Sequence, residues 1–432
     1  MLKPQRKYTF VLIALAYLSF ISLGLPDGLN GVAWPSVRSH FGLPINALGS
    51  LLILFTAGYL ASSFWSGRIL ARISLGSLLA LSCFATAASL IGYALAPAWW
   101  VMVSFGAVAG LGAGAIDAGL NTFAATRFSP RMVNWLHACY GVGAASGPLV
   151  MTGVLAANHP WQRGYVLVGV WQLLLAACFC LTRRSWATGI DSNQRDSISV
   201  PRAASLSTLR LPVMWLSIAI FFLYTGIEAA AGIWAYTLFT ESRGVPIVTA
   251  GFWVSVYWSG LTVGRVLAGV VVGVIPPDRL LRFCVLGLGL GAALIWSNQT
   301  GSLSFLGLGL MGLAAAPVFP SLIATTPARL GSAHTGNAVG FQIAAAAIGQ
   351  SLIPALTGLL AGRLGLEIVG LTLFGGAVML AVLVQGMSSA TAAKRNPSLN
   401  RSRSATHSRP QRFRNHSCEV DQENMPKEHT QG

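Results

Sequence analysis

The chain has 432 residues, 54% of them hydrophobic and only 9% charged, with a mean hydropathy of +0.64. A soluble globule of this length cannot cover so much apolar surface, so composition excludes a water-soluble enzyme or binding module and places the chain in a bilayer. The net charge of +16 raises nucleic acid as a partner, but the basic residues border apolar stretches instead of forming a patch, and no nucleic-acid partner is expected.

Charged and turn-rich breaks leave apolar segments at 8–35, 46–70, 73–96, 99–126, 133–157, 164–182, 212–240, 247–275, 280–297, 302–326, 335–361 and 367–388. Most reach the ~20 residues a spanning helix needs, so twelve spans are predicted. The first follows Lys3, Arg6 and Lys7 as a signal peptide would, but it is too long, and Pro26-Asp27 is a poor cleavage site. It is read as helix one. Residues 183–211, with Arg183, Arg184, Asp191, Arg195, Asp196 and Pro201 among Ser and Asn, read as a cytoplasmic linker between halves at 1–182 and 212–388. Residues 389–432, polar and basic, read as a disordered cytoplasmic tail adhering to anionic lipid.

With both termini cytoplasmic, 24 of the 28 Lys and Arg fall on the inside, leaving Arg38, Arg163, Arg243 and Arg363 outside. That asymmetry is the positive-inside pattern and supports an even number of spans. The six cysteines are scattered without metal-ligand spacing, so neither metal nor cofactor is expected. No Gly-x-x-x-x-Gly-Lys-Ser/Thr loop is present, which argues against a nucleotide-driven pump.

The two halves repeat. Gly49, Gly58 and Gly67 recur at a constant offset of 202 residues as Gly251, Gly260 and Gly269. Asp27 to Trp34 matches Glu228 to Trp234 more loosely, and Gly143 and Pro148 correspond to Gly349 and Pro354. Two parallel six-helix halves follow, with a solute path between them and rocking of one against the other.

Here the sequence resembles a known family. Gly67-Arg-Ile-Leu-Ala-Arg72-Ile-Ser-Leu-Gly76 is similar to the Gly-x-x-x-Asp-Arg-x-Gly-Arg loop of the major facilitator superfamily, with Ala71 where Asp is usual, and Gly264-Arg265 is similar to its eighth-span motif. The resemblance covers residues 8–388. Within the superfamily it leans to the fucose:proton symporter-like, sugar-permease branch, through Asp117-x-x-x-Asn121, Asn134-Trp-Leu-His137 with Gly141-x-Gly143 and Gly147-Pro148, Glu228 to Trp234, and Ala316-Pro317-Val-Phe-Pro320. It implies an all-α membrane protein of major facilitator fold, twelve transmembrane helices in two pseudo-symmetric halves. It also implies a monomeric, multi-pass transporter of the bacterial inner membrane, not an enzyme, with a small-molecule solute and protons as partners. Gly67, Arg72 and Arg265 are the gating candidates.

Asp117 lies inside an apolar run from Trp99 to Ala125, where a charge costs about 2.5–3.5 kcal/mol on insertion scales. Asn121 follows one helical turn on, on the same face. Asp117 is read as the proton carrier on an aqueous path, with Glu228, Asp27 and His137 as further coupling groups; His137 is expected to pair with Asp117 across the fourth and fifth spans. Taking the first span as 8–35 puts Asp27 ~9 Å outside its centre, with Pro26 interrupting the helix beside it. Asn121, Asn30 and Gln342 are the candidates to hydrogen-bond a solute, with Gln172, Asn337 and Gln350 as further amides. Trp34, Trp234, Tyr257 and Trp258 either stack on a sugar ring or, for a tryptophan near a span end, belong to the interfacial belt. The reading is proton-coupled uptake of a small hydroxylated solute. Efflux of amphipathic compounds and a nutrient receptor without flux stay open, whereas an enzyme using Asp117 and His137 lacks a nucleophile, metal set or cofactor motif.

Overall fold

The computed structural model describes residues 4–186, 204–271, 275–297 and 302–395. It holds twelve helices long and apolar enough to cross a membrane. They are α1 (Pro4–Phe41), α2 (Leu48–Leu70), α3 (Leu75–Leu95), α4 (Trp99–Arg127), α5 (Pro130–Ala156) and α6 (Gln162–Thr182) in the first half. The second half has α7 (Pro212–Thr237), α8 (Ile247–Val271), α9 (Pro277–Ser297), α10 (Leu303–Leu330), α11 (Ser332–Leu364) and α12 (Ile368–Arg395). The spans arise where the sequence places them. Helix α10 is in two pieces, Leu303–Ala315 and Val318–Leu330, broken at Ala316-Pro317, where proline has no N–H to continue the ladder.

Two expectations about α1 are corrected. The helix continues through Pro26 and Pro35 to Phe41, so the span Phe10–Phe41 has its midpoint at residues 25–26 and Asp27 sits mid-membrane. Pro26 does not interrupt it, because the carbonyl it leaves without a helical donor, Ser22 O, accepts from Gln172 Nε2 of α6 at 3.3 Å. Gln172, a solute candidate by composition, is thereby committed to a helix–helix contact.

The helices alternate in direction, so the 71–74, 128–129 and 331 connections share a face, the terminal face, with the start of α1. The 42–47, 157–161, 243–246 and 365–367 connections lie on the opposite, distal face. The apolar core differs between the two. Toward the distal face one continuous cluster runs through both halves, joining Leu29, Val32, Trp34 and Val37 of α1 to Trp234 and Ala235 of α7. Toward the terminal face it is accompanied by smaller ones. Phe20, Leu79, Ile116, Leu120 and Phe179 form a cluster within the first half, and Met214, Leu330 and Ala338 a separate one within the second. Apolar packing therefore joins the halves distally, whereas on the terminal side each half also keeps a cluster of its own.

The repeat read from glycines has a packing counterpart. A Cβ on Gly143 of α5 would run into the Ile21 carbonyl of α1, and one on Gly349 of α11 into the Phe222 carbonyl of α7. Corresponding helix pairs thus approach at corresponding points, backbone to backbone, as small residues allow in lipid. In the repeated trio, Gly49 meets Ala355 and Gly251 meets Thr152, both across the halves; Gly67 and Gly269 both face open space.

Of the linker, Arg183–Trp186 forms a short 3-10 turn whose Trp186 is buried against Phe123 and Phe179, and Ser205–Leu209 a short helix. The rest of the 183–211 reading, and that of the tail beyond Arg395, fall outside the described residues.

Candidate functional site

Between the halves lies a cavity of ≈ 160 Å³. The first half lines it with Asp27 and Asn30 of α1, Thr56 and Tyr59 of α2, Asp117 of α4 and Tyr140 of α5. The second half supplies Ala229 and Ile233 of α7, Trp258 of α8, and Gln350 and Ser351 of α11.

Close helix approach puts the polar groups in reach of one another. On α4, Gly110 sits against the Phe55 carbonyl of α2, and one turn along that seam the Tyr59 hydroxyl donates to Asp117 Oδ2 at 2.7 Å. Asn121 Nδ2 donates to the other oxygen, Oδ1, at 2.9 Å, as the i, i+4 spacing predicts. The α1–α5 seam does the same for Asp27, whose Oδ2 accepts from the Tyr140 hydroxyl. Neither Asp27 nor Asp117 has an ion-pair partner among the described residues. Asn30 is held by a 2.9 Å bond from Tyr165 to its Oδ1.

Glu228 is different. It is buried next to the lining residue Ala229, accepts from the Tyr224 hydroxyl, and has Arg265 of α8 at 3.8 Å. The Tyr257 hydroxyl donates to its backbone carbonyl at 2.7 Å. Arg265, a gating candidate by motif, is thus placed as the counter-ion of a mid-membrane acid. An arginine there balances the charge of Glu228, and removing either partner would leave the other unpaired.

The remaining candidates scatter. Gln342 is buried among its own half, donating to Ser217 Oγ at 2.7 Å and Thr326 Oγ1 at 3.1 Å, away from the cavity lining. Trp234 donates from Nε1 to the Pro354 carbonyl at 2.9 Å, and Trp34 packs on Trp99 with ring centroids 5.6 Å apart. Both are buried on the sealed distal side. Of the aromatic candidates Trp258 lines the cavity, with a buried Nε1 that donates to no acceptor. His137 is exposed, and its ring meets Phe20 edge-on at 5.4 Å; no hydrogen bond joins it to Asp117. Gly67 and Arg72 are exposed on the terminal face. Among the described residues Arg72 forms no ion pair, which accords with Ala71 standing where the motif's Asp would be.

Sequence reasoning missed Tyr59 and Tyr140. Tyr224 lies four residues before Glu228 on one helix and was legible by spacing. The other two tyrosines reach their acids from helices 58 and 113 residues away, and no local pattern announces them. Among the described residues no cluster of His, Cys, Asp and Glu could hold a metal ion.

The model of the Major Facilitator Superfamily matches residues 15–296 and 216–416. The chain belongs to the major facilitator superfamily. It is therefore an integral, multi-pass membrane transporter and not an enzyme. Over 392 residues this transporter is 23% identical to the sodium-dependent glucose transporter 1 of Danio rerio, matching 82% of its own length and 65% of that protein's. It spans, in other words, just under two thirds of that relative. It is 22% identical to the glucose/mannose transporter GlcP of Bacillus subtilis, over 79% of this chain and 86% of that one. In fold it is similar to the nucleoside transporter NupG, with a TM-score of 0.67 and 15% identity over 88% of this chain and 98% of that one.

Proposed function

We propose that this transporter carries a small hydroxylated solute such as a sugar by alternating access, coupled to protons, in the uptake direction. The observation that carries the proposal is Asp117. It faces the cavity with each carboxyl oxygen held by a neutral donor, Tyr59 or Asn121, and it forms no ion pair among the described residues. A carboxylate enclosed in a membrane without a counter-ion is costly, so closing the halves around it calls for neutralisation, and a proton arriving through the cavity supplies that. Asp27, bonded to Tyr140, lines the same cavity from the same half and likewise forms no ion pair among the described residues. Glu228, already balanced by Arg265, is the lesser candidate for proton exchange.

The hydroxylated-solute reading is supported by the lining. Asn30, Thr56, Gln350 and Ser351 offer donors and acceptors beside the acids, and Trp258 brings an indole edge. Leu23, Leu52, Phe55, Ala113, Ile233 and Ala347 make much of the remaining wall aliphatic and aromatic, a surface an amphipathic compound would also use, so efflux of such a compound is the second reading. Two relatives bear the names of glucose transporters, which agrees with the hydroxylated-solute reading. The proposed orientation has both termini cytoplasmic in a bacterial inner membrane, following the basic residues. The structure would then represent a state sealed outside.

The test is solute-driven proton uptake in proteoliposomes, for a panel of hexoses, pentoses and nucleosides. A member of the panel should alkalinise the medium with the wild type, and Asp117→Asn should abolish that signal. Alkalinisation that persists undiminished in the variant removes Asp117 as the carrier. A requirement for sodium instead of a proton gradient refutes proton coupling, and solute binding without flux would make the protein a receptor.

A further inference from the structure

The distal face carries a second cavity, ≈ 640 Å³ and open to the surface, between the end of α1, the start of α6 and the turn after α7. Ser36, Ser39, His40, Gln162 and Glu241 line it, with Trp161 at its side. The central site does not include it. Two observations show what it suits. Gln162, a lining residue, holds an Oε1 that is buried and accepts no hydrogen bond, an unusual state for an amide oxygen and one that a turn of the side chain toward the cavity would relieve. Glu241, meanwhile, is already engaged. It takes Arg38 of α1, with Nη2 at 2.7 Å from Oε2 and Nε at 3.4 Å from Oε1.

That contact joins the two halves directly, whereas Arg243–Glu367, Arg265–Glu228 and Arg329–Asp278 each lie within the second half. Its anchorage is firm on one side. Glu241 belongs to a π turn, Leu238–Ser242, and the next residue, Arg243, is fixed to Glu367 at 2.7 and 3.0 Å, to Ser304 Oγ at 2.9 Å and to the Ile295 carbonyl at 2.8 Å. A pull on Glu241 therefore reaches α9, α10 and the α11–α12 connection, so Arg38 ties α1 to the whole end of the second half. The Arg38–Glu241 pair itself is partly exposed, 29% and 26%, where an ion pair is weak enough for competing hydrogen bonds to displace.

We propose that this cavity is an entry subsite for a polyhydroxylated solute, which releases the seal by hydrogen-bonding Glu241 in place of Arg38. Hydroxyl groups donate to both Glu241 and the bare Gln162 Oε1 and accept from the serines, a match an amphipathic compound lacking donors does not offer. The inference rests on the hydroxylated-solute reading above and adds to it where the solute is first met.

The experiment uses right-side-out proteoliposomes and a solute of the panel that the wild type carries, with KM measured separately from the outside and, by efflux, from the inside. Glu241→Gln breaks the pair and removes the recognising carboxylate, so the outside KM should rise about fivefold, the worth of one lost hydrogen bond. Gln162→Leu keeps the pair but should raise the outside KM likewise. Arg38→Gln breaks the pair yet leaves Glu241 free, so the outside KM should fall or stay as it is. The inside KM should not move in Gln162→Leu, whereas Glu241→Gln and Arg38→Gln both weaken the distal seal and should shift it alike. Equal shifts of the outside KM for Arg38→Gln and Glu241→Gln, or an unchanged outside KM in Gln162→Leu, overturn the subsite. A wild type that carries no member of the panel overturns the solute reading and this inference with it. That failure shows before any variant is made, so the two are told apart.

Discussion

The hydroxyl of Tyr59 and the carboxyl of Asp117, 58 residues apart in sequence, meet at 2.7 Å across the α2–α4 seam. Tyr140 and Asp27 repeat the arrangement across α5 and α1. Each acid facing the cavity is thus oriented by a phenol from a neighbouring helix of its own half. Rocking of the halves can change access to the acids while leaving those bonds in place.

The first prediction concerns that orientation. Asp117→Asn should retain solute exchange at equal concentrations on the two sides but lose proton-driven accumulation. Tyr59→Phe keeps the acid and removes one hydrogen bond to it, worth about 1–3 kcal/mol, so accumulation should weaken without vanishing. Counterflow and proton-driven uptake, measured side by side, separate the two outcomes. A Tyr59→Phe protein as inert as Asp117→Asn would show that the phenol does more than orient.

A second prediction tests packing at the seams. Gly143 lies so close to the Ile21 carbonyl that even a methyl group has no room. Gly143→Ala should force α1 and α5 apart and destabilise the protein by roughly 1–3 kcal/mol. Gly67→Ala, at a position facing open space, should have little effect on stability. Thermal unfolding in detergent, followed by size-exclusion recovery, compares them directly.

Gln342 supplies a third. Its bonds to Ser217 and Thr326 lie inside the second half, so Gln342→Ala should lower thermal stability by about 1–3 kcal/mol through partners left unsatisfied. The KM for solute should stay within about twofold, since a residue that does not touch the solute contributes little to its binding. A tenfold rise in KM with unchanged stability would reinstate Gln342 as a solute contact.

The fourth is a pH dependence at the distal face. Burial pushes the Glu367 carboxyl up, but hydrogen bonds from Arg243 and Ser242 and the Arg243 charge outweigh it and hold the group below its ordinary value of 4.5. A carboxyl depressed in the folded state stabilises the protein above its unfolded value, and that contribution fades as pH falls through the lower folded value. Wild-type Tm should therefore drop on acidification below about pH 4.5, and Glu367→Gln should show a smaller drop over the same range. Parallel Tm curves for the two proteins would contradict this.

Much of the molecule was legible in one dimension. Twelve apolar runs give twelve spans because a bilayer requires every backbone group to be satisfied within its own helix, so length and hydropathy suffice. The acids at 27, 117 and 228 stand out because they interrupt those runs, and Asn121 pairs with Asp117 because both ride on one helix. Gly143 and Gly349 announce the repeat because close backbone approach tolerates no side chain.

What hydropathy cannot carry is the rotation of each helix about its axis and the neighbour it meets, since lipid and protein interior are equally apolar. Only the tertiary packing brought Tyr59 and Tyr140 to the acids, turned Gln342 and Trp234 into internal contacts, and set Arg265 against Glu228. It also kept α1 helical past Pro26, by lending Gln172 to the freed carbonyl, and so moved Asp27 to mid-membrane. The apolar packing that joins the halves distally, with a cluster kept by each half on the terminal side, is likewise a property of how two bundles lean together, which no single segment encodes.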